Sequence, residues 1–220
     1  MRAHSFFSGE NLKRIPLWLQ ESIWVTLCFI LVFAGANFLT GLHGWRVPIH
    51  FSWEAGLPFL PQASLLYLTI GPTMGGVAFS LREDPSALVH FRKVLVAETL
   101  IAGAFFLFLP AELAPGFARS APPPWSFWVA ASATMGMHYN LFPSLHVAFA
   151  LSTAWHGSTS RSRAISGLLF LWAGLVMIST LVLHLHHVLD LAGGLLLAGM
   201  IEYRYRPILT CPQTTPSQPA

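Results

Sequence analysis

Two short polar segments interrupt an apolar chain and hold residue types that can perform chemistry. The first polar segment is residues 140–148, NLFPSLHVA, and the second polar segment is residues 184–190, HLHHVLD. Imidazole, hydroxyl and carboxylate groups are those that enzymes use for proton transfer and nucleophilic attack. We therefore predict that the two segments face each other across one site.

The first polar segment places a proline, a hydroxyl and an imidazole within four residues. Pro143 is favoured in the first turn of a helix, because the N–H group that it lacks would have no intrahelical partner there. The free N–H groups of that turn and the positive end of the helix dipole can bind an anion. Ser144 can add a hydroxyl donor, His146 can give a proton, and Asn140 can line the same site. The alternative is an ordinary helix cap beside an interfacial histidine.

The second polar segment contains a histidine and an aspartate at positions i and i+4. If both are helical, His186 and Asp190 share one helix face. The carboxylate would then hold one imidazole nitrogen and leave the other free to attack a substrate, like the base and its orienting acid in a catalytic triad. One alternative is a metal site with His186, His187 and Asp190 as ligands. Another is that Asp190 only caps the last helix.

The composition indicates a membrane protein. The 220 residues are 54% hydrophobic and only 10% charged, whereas soluble domains carry about 25% charged residues. The net charge is +3, but the basic residues form no run, so we expect no nucleic-acid partner. The expected partner is therefore the lipid bilayer.

Six mostly apolar runs predict an all-α bundle of membrane-spanning helices; they are residues 22–42, 56–81, 88–110, 142–158, 164–185 and 187–201. We expect a kink at Pro72 in the second span and a short surface helix in the second half of the connection 111–141. Residues 22–203 then form one membrane domain. Residues 1–21 would be a cytoplasmic segment, and residues 204–220, rich in polar residues and proline, a disordered cytoplasmic tail.

The positively charged residues predict the orientation of the spans. With both termini in the cytoplasm, only Arg46 and Arg119 lie in outer loops, and ten basic residues lie inside: Arg2, Lys13, Arg14, Arg82, Arg92, Lys93, Arg161, Arg163, Arg204 and Arg206. Both polar segments then lie at the outer membrane face. We expect an inner (plasma) membrane protein of a bacterium with its site on the periplasmic side.

The two polar segments together resemble the type 2 phosphatidic acid phosphatase superfamily over residues 60–203. One family motif reads Pro-Ser-x-His and corresponds to residues 143–146. Another reads Ser-Arg or Ser-Thr, five residues, then His-x-x-x-Asp, and corresponds to residues 179–190. The branch that includes the inositol phosphorylceramide synthases is the most similar. The resemblance implies a six-helix bundle of the type 2 phosphatidic acid phosphatase and vanadium haloperoxidase kind.

The same resemblance implies a two-step phosphoryl transfer that needs no metal ion or cofactor. His186 would attack phosphorus and form a phosphohistidine, Asp190 would orient it, and His146 would protonate the leaving oxygen. The implied substrate-binding residues are Pro143, Ser144, Asn140, Thr180 and Arg119. The expected reaction is hydrolysis of a lipid-linked phosphomonoester or diphosphate. The alternatives are transfer of a phosphorylated headgroup to a lipid alcohol and a non-catalytic or metal-binding membrane protein.

The chain departs from many relatives in its basic residues. A family motif with Lys and Arg-Pro is expected near the outer end of the third span, but residues 109–115 read LPAELAP. Arg92 and Lys93 lie at the inner end, about 25 Å too deep at ~1.5 Å per residue. Thr180 stands where the hydrolase branch has arginine. Either Arg119 or the other outer-loop candidate, Arg46, is therefore expected to contact the phosphate, or the site relies on backbone donors, Ser144 and His184 or His187.

Overall fold

A computed structural model describes residues 15–117, 120–159 and 161–205. This part of the chain is mostly helical, which confirms the predicted helical class. Its α-helices are α1 (Leu17–Gly41), α2 (Ala63–Tyr67), α3 (Ile70–Ser80), α4 (Pro85–Phe108), α5 (Ser126–Gly136), α6 (Leu145–Ser158), α7 (Arg163–Val182) and α8 (Val188–Tyr205). A 3-10 helix spans Ser52–Gly56. Two parallel strands of two residues, β1 (Val47–Pro48) and β2 (Ala111–Glu112), join the loops after α1 and α4.

The predicted terminal segments are only partly covered by these ranges. Helix α1 begins inside the predicted cytoplasmic segment, whose residues 1–14 lie outside the described residues. The predicted disordered tail lies outside them from residue 206 onward.

The predicted second span is two helices rather than one kinked helix. Helices α2 and α3 are separated at Leu68 and Thr69, and Pro72 lies in the first turn of α3. In one continuous helix the ring of Pro72 would clash with the carbonyl group four residues earlier, at Leu68. The helix therefore restarts just before the proline, where the missing N–H group has no intrahelical partner to lose.

Helix α6 lies at the centre of the bundle. It contacts α3, α4, α7 and α8, and most of its side chains are buried. Small residues such as Ala148, Ala150 and Ala154 allow these neighbours to approach closely, as is usual between membrane helices. The helix that carries His146 is thus held from several sides.

Two of the described helices, α1 and α7, are long and apolar enough to cross a membrane by length and composition. Only 22% of the apolar window of each is buried inside the protein. Their outward faces carry large apolar side chains such as Leu31 and Leu168, which are exposed in the isolated chain. Such faces suit a lipid environment, because lipid tails are as apolar as these side chains.

Candidate active site

The two histidines predicted to share the chemistry face each other although they are 40 residues apart. The ring centroids of His146 and His186 are 6.1 Å apart, and both side chains are buried. The backbone N–H group of Ser144 donates to the carbonyl oxygen of Asp190 at 3.0 Å, which joins the two polar segments directly. The tertiary fold therefore brings Ser144, His146, His186 and Asp190 together.

Two glycines of α8 make this close approach possible. A Cβ atom at Gly194 would lie 2.5 Å from the carbonyl oxygen of Ser144 and 2.8 Å from Cβ of Val147. A Cβ atom at Gly193 would lie 2.6 Å from the ring of Phe142. A larger side chain at Gly194 would push the start of α6 away from α8, whereas one at Gly193 would first displace the ring of Phe142.

Helix α6 begins at Leu145, three residues after the start of the predicted span. Pro143 precedes the helix and Ser144 is its N-cap, so the expectation that Pro143 occupies the first turn is wrong. The Oγ atom of Ser144 accepts from the N–H group of Val147 at 3.4 Å. Serine is favoured at the N-cap position, because its side-chain oxygen accepts from one of the free N–H groups of the first turn. The cap uses the oxygen only as an acceptor, so the hydroxyl group can still donate to a phosphoryl oxygen.

The second polar segment contains the turn that follows α7 and the first residues of α8. Helix α7 ends at Val182, three residues before the predicted end of the span, and α8 starts at Val188. The N–H group of His184 donates to Leu181 O, and that of Leu185 donates to Thr180 O. This is the Schellman pattern of helix termination, with His184 in the left-handed conformation (φ +55°) that glycine or asparagine usually adopts.

His186 and Asp190 are in contact, but they do not share a helix face. His186 lies two residues before α8, and its Nδ1 atom is 3.2 Å from Oδ2 of Asp190. The same Oδ2 atom accepts from the N–H group of His187 at 2.8 Å, as in a capping box. Asp190 therefore caps the helix and orients the histidine at once. Because a carboxylate only accepts, the proton of the pair lies on Nδ1 and the lone pair of His186 on Nε2.

A buried carboxylate that sequence reasoning missed supports this turn. Glu54 is fully buried, and its Oε2 atom accepts from Nδ1 of His187 while its Oε1 atom accepts from the N–H group of Val188 at 3.3 Å. The other ring nitrogen of His187, Nε2, accepts from the N–H group of Ala114 at 3.1 Å. Both nitrogens of His187 are thus used within the protein, which removes it from the predicted metal-ligand set of His186, His187 and Asp190.

A buried tyrosine, also missed, contacts the second histidine. The ring of Tyr67 stacks on that of His146 with centroids 4.2 Å apart, and its hydroxyl oxygen is 3.3 Å from Nδ1. A tyrosine hydroxyl group can both donate and accept. It can therefore remain bonded to His146 in either protonation state of the imidazole.

Two other predicted substrate-binding residues, Asn140 and Thr180, are hydrogen-bonded within the protein. Asn140 is buried, and its Nδ2 atom donates to Phe33 O at 2.6 Å, which joins the first polar segment to α1. Its Oδ1 atom has no hydrogen-bond partner within the described ranges. The hydroxyl group of Thr180 donates to Met177 O inside α7, and its carbonyl oxygen accepts from the N–H group of His186 at 3.2 Å. Thr180 therefore positions His186 through its backbone.

Of the two outer-loop arginines expected to contact the phosphate, Arg46 is among the described residues. Arg119 lies outside the described residues. The guanidinium group of Arg46 lies 4.1 Å from the ring centroid of Tyr139, next to Asn140 in the chain. Arg92 pairs with Glu21 at 2.9 Å, away from the polar segments.

A comparison with known families agrees with the motifs. Residues 62–203 match the family model of the PAP2 superfamily, and the match includes both polar segments. No curated protein and no solved structure matches the chain. The two apolar helices and the family match together indicate a membrane protein from a superfamily of phosphoryl-transfer enzymes. The match covers more than half of the chain, which therefore belongs to the PAP2 superfamily, the type 2 phosphatidic acid phosphatases.

Proposed function

We propose that the protein is a membrane lipid-phosphate phosphatase that hydrolyses a lipid-linked phosphomonoester or diphosphate through a phosphohistidine at His186. The observation that carries the proposal is the pairing of His186 with Asp190 opposite His146. One imidazole is oriented with its lone pair available, and the other can exchange a proton. Ser144, at the N-terminus of α6, adds donors for the phosphoryl oxygens.

In the first step, the lone pair on Nε2 of His186 attacks phosphorus. A P–N bond forms, the P–O bond to the lipid breaks, and the leaving oxygen takes its electron pair and a proton from His146. The carboxylate of Asp190 stabilises the positive charge on the phosphorylated imidazole. Stabilisation of charge on the phosphoryl oxygens dominates such reactions, and we assign it to Ser144 and the first-turn N–H groups of α6.

In the second step, water replaces the lipid as the nucleophile. The oxygen of water attacks phosphorus while His146, now neutral, accepts a proton from it. The P–N bond breaks and its electron pair returns to Nε2 of His186. A phosphate is released and both histidines regain their starting states, so the cycle needs no other reactant.

We place this site at the outer face of a six-span bundle with cytoplasmic termini. The proposed spans are α1, α2 with α3, α4, α6, α7 and α8. The start of α6, the end of α7 and the start of α8 meet at the two polar segments. The opposite ends of these helices carry Arg161, Arg163 and Arg204, which supports a cytoplasmic location for that end.

The proposal is tested by trapping the intermediate. The detergent-purified protein is screened for phosphate release from phosphatidate, isoprenoid diphosphates and phosphorylated sphingoid bases. A short incubation with the best ³²P-labelled substrate should then label the protein with an acid-labile, base-stable phosphate. His186→Ala should abolish labelling and turnover, and His146→Ala should abolish turnover of the lipid substrate. His43→Ala, at an exposed histidine, should change neither. Full activity of folded His186→Ala would refute the proposal.

Thr180 favours a second candidate function, a phosphotransferase of the inositol phosphorylceramide synthase kind. The position that is arginine in the hydrolase branch carries a hydroxyl that is bonded within its own helix. Transfer differs from hydrolysis in two respects: the phosphoryl group on His186 still carries the headgroup, and a lipid alcohol instead of water attacks it in the second step. Supplying a lipid alcohol distinguishes them, because a transferase would give a product that retains the labelled phosphoryl group, whereas a phosphatase would release it to water.

A further inference from the structure

A second group of ionisable side chains lies inside the helix bundle, away from the candidate active site. His90 of α4, His156 of α6 and Glu202 of α8 each offer one donor atom, and these atoms all lie within 4.8 Å of one another. Nε2 of His156 and Oε1 of Glu202 are 3.0 Å apart. We infer that these three residues form a zinc site that joins α4, α6 and α8.

The group is remote from the phosphoryl-transfer chemistry. His156 follows His146 by ten residues on α6, or about 15 Å along the helix axis. Glu202 follows Asp190 by twelve residues on α8, or about 18 Å. None of the three residues has a part in the proposed reaction, so the inference does not depend on the proposed function.

The two most buried members of the group are not satisfied by the protein. His156 and Glu202 are both more than nine-tenths buried. Nε2 of His156 and Oε1 of Glu202 face each other, yet neither atom has a hydrogen-bond partner of acceptable geometry among the described residues. Burial of a carboxylate and an imidazole without such bonds is costly. A cation bound between their lone pairs would satisfy both atoms.

The chemistry of the donors selects the metal. Two imidazole nitrogens and one carboxylate oxygen suit Zn²⁺, and three protein ligands leave a fourth tetrahedral position for water. Calcium and magnesium prefer sites built from oxygen alone. The ring of Phe91 lies 5.0 Å from that of His156 and restricts its rotation. His90 is only half-buried, and Glu202 also lines a cavity together with Tyr203.

The test uses the full chain in detergent. Wild-type protein is stripped with a chelator, incubated with zinc, dialysed, and analysed for metal by mass spectrometry. We expect one zinc ion per chain and a higher melting temperature than for the stripped protein. Cobalt in place of zinc should give the intense visible absorption of tetrahedral coordination. Failure of the stripped wild-type protein to bind zinc in a titration would overturn the inference without any variant.

Variants then locate the ion. His156→Ala and Glu202→Gln should lose stoichiometric zinc and the rise in melting temperature that zinc produces. Exposed control positions, His43→Ala and Glu83→Gln, should retain both. Circular dichroism and size-exclusion chromatography establish that each variant is folded. Stoichiometric zinc in His156→Ala, or its loss in His186→Ala, would place the ion elsewhere and refute the site.

Discussion

Replacement of Gly194 by alanine tests whether the contact between α6 and α8 sets the geometry of the candidate active site. The added Cβ atom would lie 2.5 Å from the carbonyl oxygen of Ser144, and real Cβ atoms essentially never approach a neighbour within 3.0 Å. The neighbouring atoms are backbone and a β-branched side chain, Val147, which cannot rotate away. The start of α6 must therefore move relative to α8.

The size of the movement follows from these distances. An ordinary contact of 3.4 Å requires a displacement of about 0.9 Å, and the tightest tolerable contact requires about 0.5 Å. Ser144 and His146 lie at the start of α6, whereas Asp190 lies on α8 and His186 on the turn before it, so the movement shifts the first pair relative to the second. A misplacement of about 1 Å can cost roughly a hundredfold in rate. Overpacking should also cost about 1–3 kcal/mol of stability.

The assay is the turnover of the best lipid phosphate by Gly194→Ala at saturating substrate. Gly199→Ala on the same helix is the matched control, because a Cβ atom at Gly199 meets nothing within 4 Å. We expect kcat to fall by about 30- to 100-fold in Gly194→Ala and to stay unchanged in Gly199→Ala. If Gly194→Ala keeps the wild-type kcat, the close approach at Ser144 does not position the reacting groups.

Three further substitutions test the groups around the two histidines. Tyr67→Phe keeps the ring stacked on His146 but removes the hydroxyl, so turnover of a lipid substrate should fall about tenfold. The turnover of an activated aryl phosphate, whose leaving group needs no proton, should stay unchanged. An equal loss of turnover for both substrates would contradict the role of Tyr67 in proton transfer by His146. Asp190→Asn should lower kcat by about 10³- to 10⁴-fold, by analogy with the loss of an orienting carboxylate in a triad. The rate at which the protein is labelled should fall by the same factor, and an unchanged rate of labelling would contradict the orienting role of Asp190. Glu54→Gln removes an acceptor from the start of α8 and should cost about 1–3 kcal/mol of stability. The exposed Glu112→Gln is its control in a thermal melt, and equal melting temperatures would refute the role of Glu54.

The sequence was sufficient for those features that depend on local patterns. Apolar runs predict helices, and α4, α6 and α8 start or end within a few residues of the predicted spans. Pro-Ser-x-His and His-x-x-x-Asp indicate the superfamily, which the family match confirms. The number of spans and their orientation remain predictions, because only α1 and α7 of the described helices are both long and apolar enough to qualify as spans, and α2, α3 and α6 are too short.

Helix ends were predicted less well, because their signals are weak or shared. Proline and serine both favour a helix start, and only the structure shows that Ser144 takes the cap. The end of α7 carries His184 where glycine is the usual signal. The apolar pattern alone therefore extends the predicted span to Leu185. The spacing of four residues predicts that His186 and Asp190 share a helix face, but His186 makes its contact from the turn before α8.

The sequence by itself determined which residue types make up the two polar segments and to which family the chain belongs. Only the tertiary structure decided what supports them. Glu54 contacts His187 across 133 positions and Tyr67 contacts His146 across 79. A carboxylate between two apolar runs and a tyrosine inside an apolar run carry no local mark of such contacts. The physical reason is that a buried polar group needs a partner in space, and the fold, not the spacing along the chain, decides which partner is within reach.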